Sequence, residues 1–177
     1  SSNATLSIVL LVANGDNSFG QLNISAAATN LVAIAVGAWH NLALRGDGQV
    51  IAWGNNGNGQ CNVPASLRDA VVIAAGGYHS LALRLKGKVL AWGGNDGGQI
   101  NVPPGLSNVI GLAAGTWHSL ALRAEGTVVG WGDDSFGQAT VPVGLSNVVA
   151  IAAGGNHSLA LRSDGTVAAW GENTDAA

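Results

Sequence analysis

The chain has 177 residues, enough for one domain with a sizeable core. Its formal net charge of -3, its 10% of charged residues and its single cysteine exclude electrostatic binding of nucleic acid, a disulfide framework and a cysteine-based zinc site. No apolar run approaches the roughly 20 residues that a membrane-spanning helix requires, so no membrane partner is expected.

Residues 1–15 are predicted to form an N-terminal segment, with Ser1–Ala4 as a processing or cloning scar and Leu6–Gly15 as an extra strand. From residue 16 onward, a 39-residue repeat runs without a gap. It divides the chain into a partial unit at 16–31, units at 32–70, 71–109 and 110–148, and a last partial unit at 149–177. Repeated histidines and Trp-Gly pairs mark the period: His40, His79, His118 and His157, and Trp53, Trp92, Trp131 and Trp170.

Each unit is predicted to hold three or four short strands. In the last unit, Val149–Ala153, His157–Arg162 and Thr166–Trp170 are apolar runs bounded by Gly, Asp and Asn, and a weaker strand precedes them at Gln138–Val141. Asp164–Gly165 is typical of a hairpin turn, and no stretch has the length and period of a helix. The pattern predicts an all-β protein: a partial or small β-propeller of four-stranded blades, with about four to four and a half repeats.

The ends of the repeat leave three alternatives for closure of the propeller. Asp16–Ile24 matches the outer part of a unit, Asn55–Val63, whereas the last unit stops after Asn173. Asp16–Ile24 is therefore a candidate to complete the last blade. Otherwise the chain is a piece of a larger ring, or chains complete one another by self-association through open blade edges.

The repeated polar residues are interpreted as structural. Equivalent histidines are spread around a propeller, too far apart to share one zinc ion, so we expect them to hydrogen-bond backbone groups between blades. The Asn- and Asp-rich loops after each Trp-Gly pair lack the alternating acidic pattern of a calcium loop and are interpreted as turns. Cys61 occupies a position held elsewhere by Leu22, Ile100 and Ala139, which predicts a core filler. No metal, cofactor or catalytic residue is predicted.

Four motifs carry a family resemblance: Ala-Gly-x-x-His-Ser-Leu-Ala-Leu, Asp-Gly-x-Val, Trp-Gly-x-Asn and Gly-Gln-x-x-Val-Pro. Over residues 16–171 they resemble the regulator of chromosome condensation repeat, in its bacterial alpha-tubulin suppressor-like form. The chain is also similar to the secreted β-lactamase inhibitor protein II group, whose propellers are built of such repeats. The resemblance implies a propeller family that usually closes with seven blades.

The resemblance also implies a binding face. In those inhibitors, aromatic residues immediately before the histidine line the surface that grips the enzyme, and an aromatic residue also occurs before the Gly-Gln pair. Carried over to this chain, these positions are Trp39, Tyr78, Trp117 and Asn156, and Phe19 and Phe136. The alternative is that these aromatic residues pack as anchors of their loops.

The sequence therefore predicts a non-enzymatic protein–protein interaction module, a scaffold that presents an aromatic-rimmed loop face to a protein partner. Tryptophan and tyrosine also stack on sugars, so a carbohydrate-binding propeller is an alternative. A structural repeat segment of a larger extracellular protein is another. The chain has neither the inserted wedge nor the basic arm of the chromatin member of the family, so that member's nucleotide-exchange and nucleosome-binding activities are not expected. The resemblance and the low charge favour an extracellular or cell-surface location.

Overall fold

The computed structural model describes residues 11–174, which form twelve β-strands in four antiparallel sheets of three. The first two sheets are β1 (Leu31–Val36), β2 (His40–Arg45) and β3 (Val50–Gly54), and β4 (Ala70–Ala75), β5 (His79–Arg84) and β6 (Val89–Gly93). The last two are β7 (Val109–Ala114), β8 (His118–Arg123) and β9 (Val128–Gly132), and β10 (Val148–Ala153), β11 (His157–Arg162) and β12 (Val167–Gly171). No helix within 11–174 is long and apolar enough to cross a membrane. The predicted all-β class and its four repeated units are confirmed.

The central strand of each sheet is buried on both faces. In β5, His79, Leu81 and Leu83 point to one face of the sheet, and Ser80 and Ala82 point to the other. All five side chains are buried. A strand with two buried faces has no polar side, which explains why the unit Leu-Ala-Leu lacks the usual alternation with charged residues.

Each sheet has three strands, so the fourth strand predicted at Gln138–Val141 is wrong. The carboxylate of Asp134 accepts hydrogen bonds from the backbone N–H groups of Ala139 at 2.8 Å and Thr140 at 2.9 Å. Side-chain acceptors of this kind compete with a strand ladder for the backbone donors. The segment therefore closes on its own loop and does not pair with β10.

Consecutive sheets pack face to face, with the hydrophobic core between them. Leu42 and Leu44 of β2 and Val50 of β3 pack with Ile73 and Trp92 of the second sheet. The same repeat positions fill the spaces between the second and third sheets and between the third and fourth. Trp92, Trp131 and Trp170 thus each lie between two sheets, as their size and their repetition predict.

The row of sheets is open at both ends. Among the described residues, close strand contacts join only consecutive sheets, and the first sheet does not pack on the fourth. Asp16–Ile24 lies against the first sheet, where the backbone carbonyl of Gln21 accepts hydrogen bonds from Asn41 Nδ2 at 2.7 Å and Trp53 Nε1 at 3.0 Å. This segment therefore does not complete the last blade of its own chain.

The predicted extra strand at Leu6–Gly15 is not formed over the part that the structure describes. Residues 1–10 lie outside the described range, whereas Leu11–Asn14 run beside the first sheet without joining a ladder. Leu11–Asn14 thus adds an unpaired stretch of chain to the described part of the fold.

Candidate interaction surface

On one side of the molecule, the ends of the strands of all four sheets carry loops. Each sheet contributes two loops to this side. The first loop connects the first and second strands, and the second loop follows the third strand. A backbone hydrogen bond joins them in the first sheet, from Asn55 N–H to the carbonyl of Trp39 at 2.8 Å. The other sheets repeat this bond at Gly94–Tyr78, Asp133–Trp117 and Glu172–Asn156. We call this the loop end, and we call the opposite end, where turns join the second and third strands, the turn end.

The six residues proposed for partner binding all lie at the loop end, but they do not form one continuous aromatic face. Phe19 meets Trp39 edge-on, with ring centroids 5.3 Å apart, and Tyr78 stacks on Trp117 with centroids 4.3 Å apart. The two pairs are therefore separate aromatic clusters. Phe136 is exposed, and Asn156 donates a hydrogen bond to Glu172 at 2.8 Å. Their role in binding stays a prediction.

A shallow pocket opens beside the stacked pair. It measures about 280 Å³ and is lined by Trp117, Asp96, Gly97 and Asp133. An aromatic ring face and carboxylates together attract cations, because the ring quadrupole and the negative charges act in the same direction. The pocket thus combines one of the predicted aromatic residues with two acidic residues that the aromatic pattern alone did not select.

Most polar side chains of the second loop form hydrogen bonds with other groups of the same loop. Gln138 is buried; its Oε1 accepts from the N–H of Phe136 at 2.8 Å and its Nε2 donates to Asp133 at 2.6 Å. Gln60 makes the corresponding bonds with Asn58 and Asn55. These contacts agree with the interpretation of the Asn- and Asp-rich loops as turns. Within 11–174, no three His, Cys, Asp or Glu residues are grouped as metal ligands would be.

Gln99 is the exception in this series. Its Oε1 accepts from the N–H of Gly97 at 2.9 Å, but its buried Nε2 has no hydrogen-bond partner. The loops after the first and third sheets place an oxygen there from Asn55 and Asp133, whereas the loop after the second sheet has Gly94 at the same position. The loop after β6 therefore lacks one hydrogen bond that the equivalent loops contain.

The histidines join consecutive sheets. Nε2 of His79 lies 2.9 Å from Oγ of Ser119, and that hydroxyl donates to the backbone carbonyl of Gln99 at 2.9 Å. The same arrangement recurs at His40–Ser80 and at His118–Ser158. Since the serine hydroxyl has one hydrogen, the histidine must donate from Nε2 and keep Nδ1 unprotonated. The expected bridge between blades is present, but its acceptor is a side-chain hydroxyl and not a backbone group.

These imidazoles are buried and neutral. Burial lowers the pKa of His79 to about 3 and the pKa values of His40 and His118 to about 4. Nδ1 of each ring is buried without a partner, so a second proton would have no acceptor. At Gly76, a Cβ atom would lie 2.7 Å from Nδ1 of His79, which explains the glycine three residues before the histidine. These three rings are buried from solvent, and their role is structural.

Charge is divided between the two ends. All seven Lys and Arg residues lie at the turn end, where three of them form the ion pairs Arg45–Asp47, Arg84–Asp69 and Arg123–Glu125. The loop end carries no Lys or Arg in the part of the chain described. It carries carboxylates from several loops: Asp16, Asp96, Asp133, Asp134 and Glu172. The chain positions of these residues were visible in the sequence, but only the strand directions show which end each one occupies.

The chain matches the family model described as the regulator of chromosome condensation (RCC1) repeat. The matched residues are 31–60, 70–99, 109–138 and 148–176. Each match spans one sheet and the loop that follows it. A search of curated proteins finds no similar sequence.

Several solved structures are similar to this chain. Yeast RCC1 (Prp20), in a structure bound to Kap60, is 24% identical with a TM-score of 0.72, over 84% of this chain and 45% of that one. Prp20p of Saccharomyces cerevisiae, described with its binding properties to Gsp1p and histones, is 29% identical with a TM-score of 0.68, over 81% and 44%. The receptor kinase CR4 ectodomain of Physcomitrella patens is 24% identical with a TM-score of 0.74, over 91% and 46%. The alignments thus cover less than half of each of these proteins.

Proposed function

Because the chain belongs to the regulator of chromosome condensation repeat family, we propose that it is a non-enzymatic interaction module whose loop end binds a basic segment of a partner protein. Propellers of this repeat commonly serve as scaffolds for protein interaction. The observation that carries the proposal is that both aromatic pairs and five carboxylates lie at the loop end, where the described part of the chain has no Lys or Arg.

The aromatic residues supply contact area on a rigid support. Tyr78 and Trp117 are half-buried and stack on each other, so little side-chain entropy is lost when a partner covers them. Exposed Phe19, paired with Trp39, and exposed Phe136 add further apolar surface at the loop end. Large aromatic side chains of this kind dominate the binding energy of protein interfaces.

The acidic residues at the loop end favour a partner segment that carries positive charge. Asp96 is exposed beside Trp117, and Asp133, whose carboxylate accepts hydrogen bonds from Ser135 and Gln138, lines the same pocket. A lysine or arginine side chain placed there would contact the ring face and the carboxylates together. An acidic partner would instead meet uncompensated like charge. A basic segment with a neighbouring apolar residue therefore fits this surface.

An array of short peptides that vary in charge and apolar content tests the proposal. We expect binding of peptides with Lys or Arg next to an apolar residue, and we expect added salt to weaken it. Tyr78→Ala combined with Trp117→Ala should weaken this binding by roughly thirtyfold, the effect of losing about 2 kcal/mol at a hot spot. Leu85→Ala, at an exposed apolar residue of the turn end, is the matched control and should leave it unchanged.

A glycan array distinguishes the carbohydrate-binding alternative. Selective retention of glycans that is lost in the same double variant, with no peptide bound, would contradict the proposal. Thermal unfolding of the double variant checks that the fold persists. A large loss of stability with unchanged binding per folded molecule would return these residues to the role of loop anchors.

A further inference from the structure

The loops that precede the four sheets share one backbone but differ at one outward position. Four residues occupy this position, one in the loop before each sheet: Phe19, Asn58, Gly97 and Phe136. In every loop, the N–H of this residue donates to Oε1 of the glutamine that follows, at 2.8 or 2.9 Å. The glycine between them has a φ of 76° to 80° in all four loops. Only the side chain at the outward position therefore changes.

Gly97 leaves Trp117 without the neighbour that the equivalent tryptophan has. In the junction before the first sheet, Phe19 meets Trp39 edge-on. Gly97 and Trp117 are the equivalent residues two repeats later. The pocket of about 280 Å³ opens here, and Tyr78, which stacks on Trp117, does not line it. The place beside Trp117 is thus open because the loop has no side chain there.

The loop before the third sheet also carries its carboxylate at a different position. In the loop before the fourth sheet, Asp133 comes first, and its two oxygens accept hydrogen bonds from Ser135 Oγ and Gln138 Nε2, both at 2.6 Å. The loop before the third sheet instead begins with Gly94 and has Asp96 at the position of the serine. Asp96 is exposed and accepts no hydrogen bond from residues 11–174. Both of its oxygens are therefore available to a ligand.

The charge beside the open site differs from the charge beside the filled one. Asp96 and Asp133 line the open site. At the site that Phe19 fills, the equivalent residues are Ser18 and Asn55, and both are uncharged. Negative charge at both lining positions attracts a cation, which the neutral phenyl ring of the filled site is not.

We infer that this pocket binds the guanidinium group of an arginine in the partner segment, an inference that rests on the proposed function. The guanidinium is planar, so it takes the place beside Trp117 that the phenyl ring of Phe19 takes beside Trp39. It donates paired hydrogen bonds to Asp96, while Asp133 adds negative charge. A lysine ammonium is compact and strongly hydrated, so it does not cover the indole in this way. The pocket therefore selects arginine over lysine.

Blocked dipeptides test the inference on the full chain. The probes are acetyl-leucyl-arginine amide, its lysine analogue and its citrulline analogue, which keeps the shape of arginine without the charge. An NMR titration follows the indole N–H signal of Trp117, which is identified by its loss in Trp117→Phe. We expect the arginine dipeptide to bind at least about threefold more tightly than the lysine dipeptide, the effect of an exposed charge-assisted hydrogen bond. The citrulline dipeptide should cause no shift.

Two variants locate the arginine. Gly97→Phe restores the side chain of the filled sites and should abolish binding of the arginine dipeptide. Its Cβ atom would lie 3.0 Å from Cβ of Asp133 and 3.1 Å from the carbonyl oxygen of Trp117, so these neighbours must shift slightly, and thermal unfolding checks the fold. Asn58→Phe is the matched control in the loop before the second sheet and should leave binding unchanged. Asp96→Ser, which introduces the residue that two other loops carry, should remove the preference for arginine over lysine.

Several results would overturn the inference. Equal affinity for the arginine and lysine dipeptides would leave the proposed binding of basic segments in place and refute the selection of arginine. Arginine binding that persists in folded Gly97→Phe would place the arginine elsewhere. An equal loss of both affinities in Asp96→Ser would show that this carboxylate acts through charge alone. Tetramethylammonium that binds as tightly as the arginine dipeptide would assign the pocket to methylated cations.

The proposed function fails by a different result. If the arginine dipeptide does not shift the Trp117 signal, the inference is wrong whether or not basic peptides bind elsewhere at the loop end. Only the absence of binding by every basic peptide of the array would refute the proposed function as well.

Discussion

His79 donates a hydrogen bond from Nε2 to Ser119 Oγ, 2.9 Å away on the neighbouring sheet, and both side chains are fully buried. The hydroxyl of Ser119 in turn donates a hydrogen bond to the backbone carbonyl of Gln99. The same carbonyl also accepts a hydrogen bond from Trp131 Nε1 at 2.8 Å. One carbonyl in the loop between two sheets therefore anchors a serine and a tryptophan of the following sheet. The relative position of the sheets depends on this chain of bonds.

Replacement of His79 by alanine should lower the free energy of unfolding by roughly 1–3 kcal/mol, because Ser119 loses its donor in a buried interface. Chemical denaturation followed by tryptophan fluorescence measures the change. His157→Ala is the matched control: the ring is exposed, so the expected loss is below about 0.5 kcal/mol. Equal losses in the two variants would contradict the bridging role of His79.

The stability of the protein should fall as the pH drops from 6.5 to about 4. Burial lowers the pKa of His40, His79 and His118, so in this range the unfolded chain binds protons that the folded chain does not. Each such histidine reduces the free energy of unfolding by about 1.4 kcal/mol per pH unit. Above pH 6.5, both states are neutral at these rings and the contribution is constant. Urea denaturation at several pH values tests this, and a flat profile between pH 6.5 and 5 would disprove it.

Gly94→Asn should stabilise the protein by about 1 kcal/mol, because the new side chain supplies the oxygen that the buried Nε2 of Gln99 lacks. A Cβ atom at Gly94 would lie 3.0 Å from Asn58 Nδ2 and 3.2 Å from the carbonyl oxygen of Tyr78, so these neighbours must shift by a few tenths of an ångström. The equivalent residues Asn55 and Asp133 carry a Cβ atom while making the same backbone bond, which shows that the loop can adopt the required spacing. Gly93→Asn is the adjacent control and should destabilise, since Gly93 has a φ of 106° and a Cβ there would lie 2.7 Å from the carbonyl oxygen of Tyr78. Thermal unfolding measures both. A Gly94→Asn variant less stable than the parent would refute the account.

Asp96→Asn should weaken the binding of a basic peptide about threefold and leave the melting temperature unchanged, because Asp96 is exposed and lines the pocket beside Trp117. The difference from the parent should shrink as salt is added. Glu125→Gln removes one negative charge from the turn end and serves as the control for net charge. If both substitutions weaken binding equally, the charge of the whole molecule and not this pocket attracts the peptide.

The sequence alone determined the three strands of each sheet, their turns and the number of units. The 39-residue spacing of His79, Trp92 and Gln99 to their equivalents is visible without coordinates, and each short apolar run between Gly and Asp residues has one compatible local structure. It also placed the aromatic residues on one end, because residues at equivalent positions of repeated units emerge on the same side. These features depend on a few neighbouring residues, which is why the pattern predicts them.

Only the tertiary structure decided which groups meet across the sheets. The bond from His79 to Ser119, the pairing of Phe19 with Trp39 and the separate stack of Tyr78 on Trp117 depend on how one sheet is rotated against the next. Gln138–Val141 forms no fourth strand because the carboxylate of Asp134 accepts the backbone N–H groups of Ala139 and Thr140, which a strand ladder would need. A repeat specifies the contact between one unit and the next, whereas the angle that accumulates over four units decides whether the first meets the last.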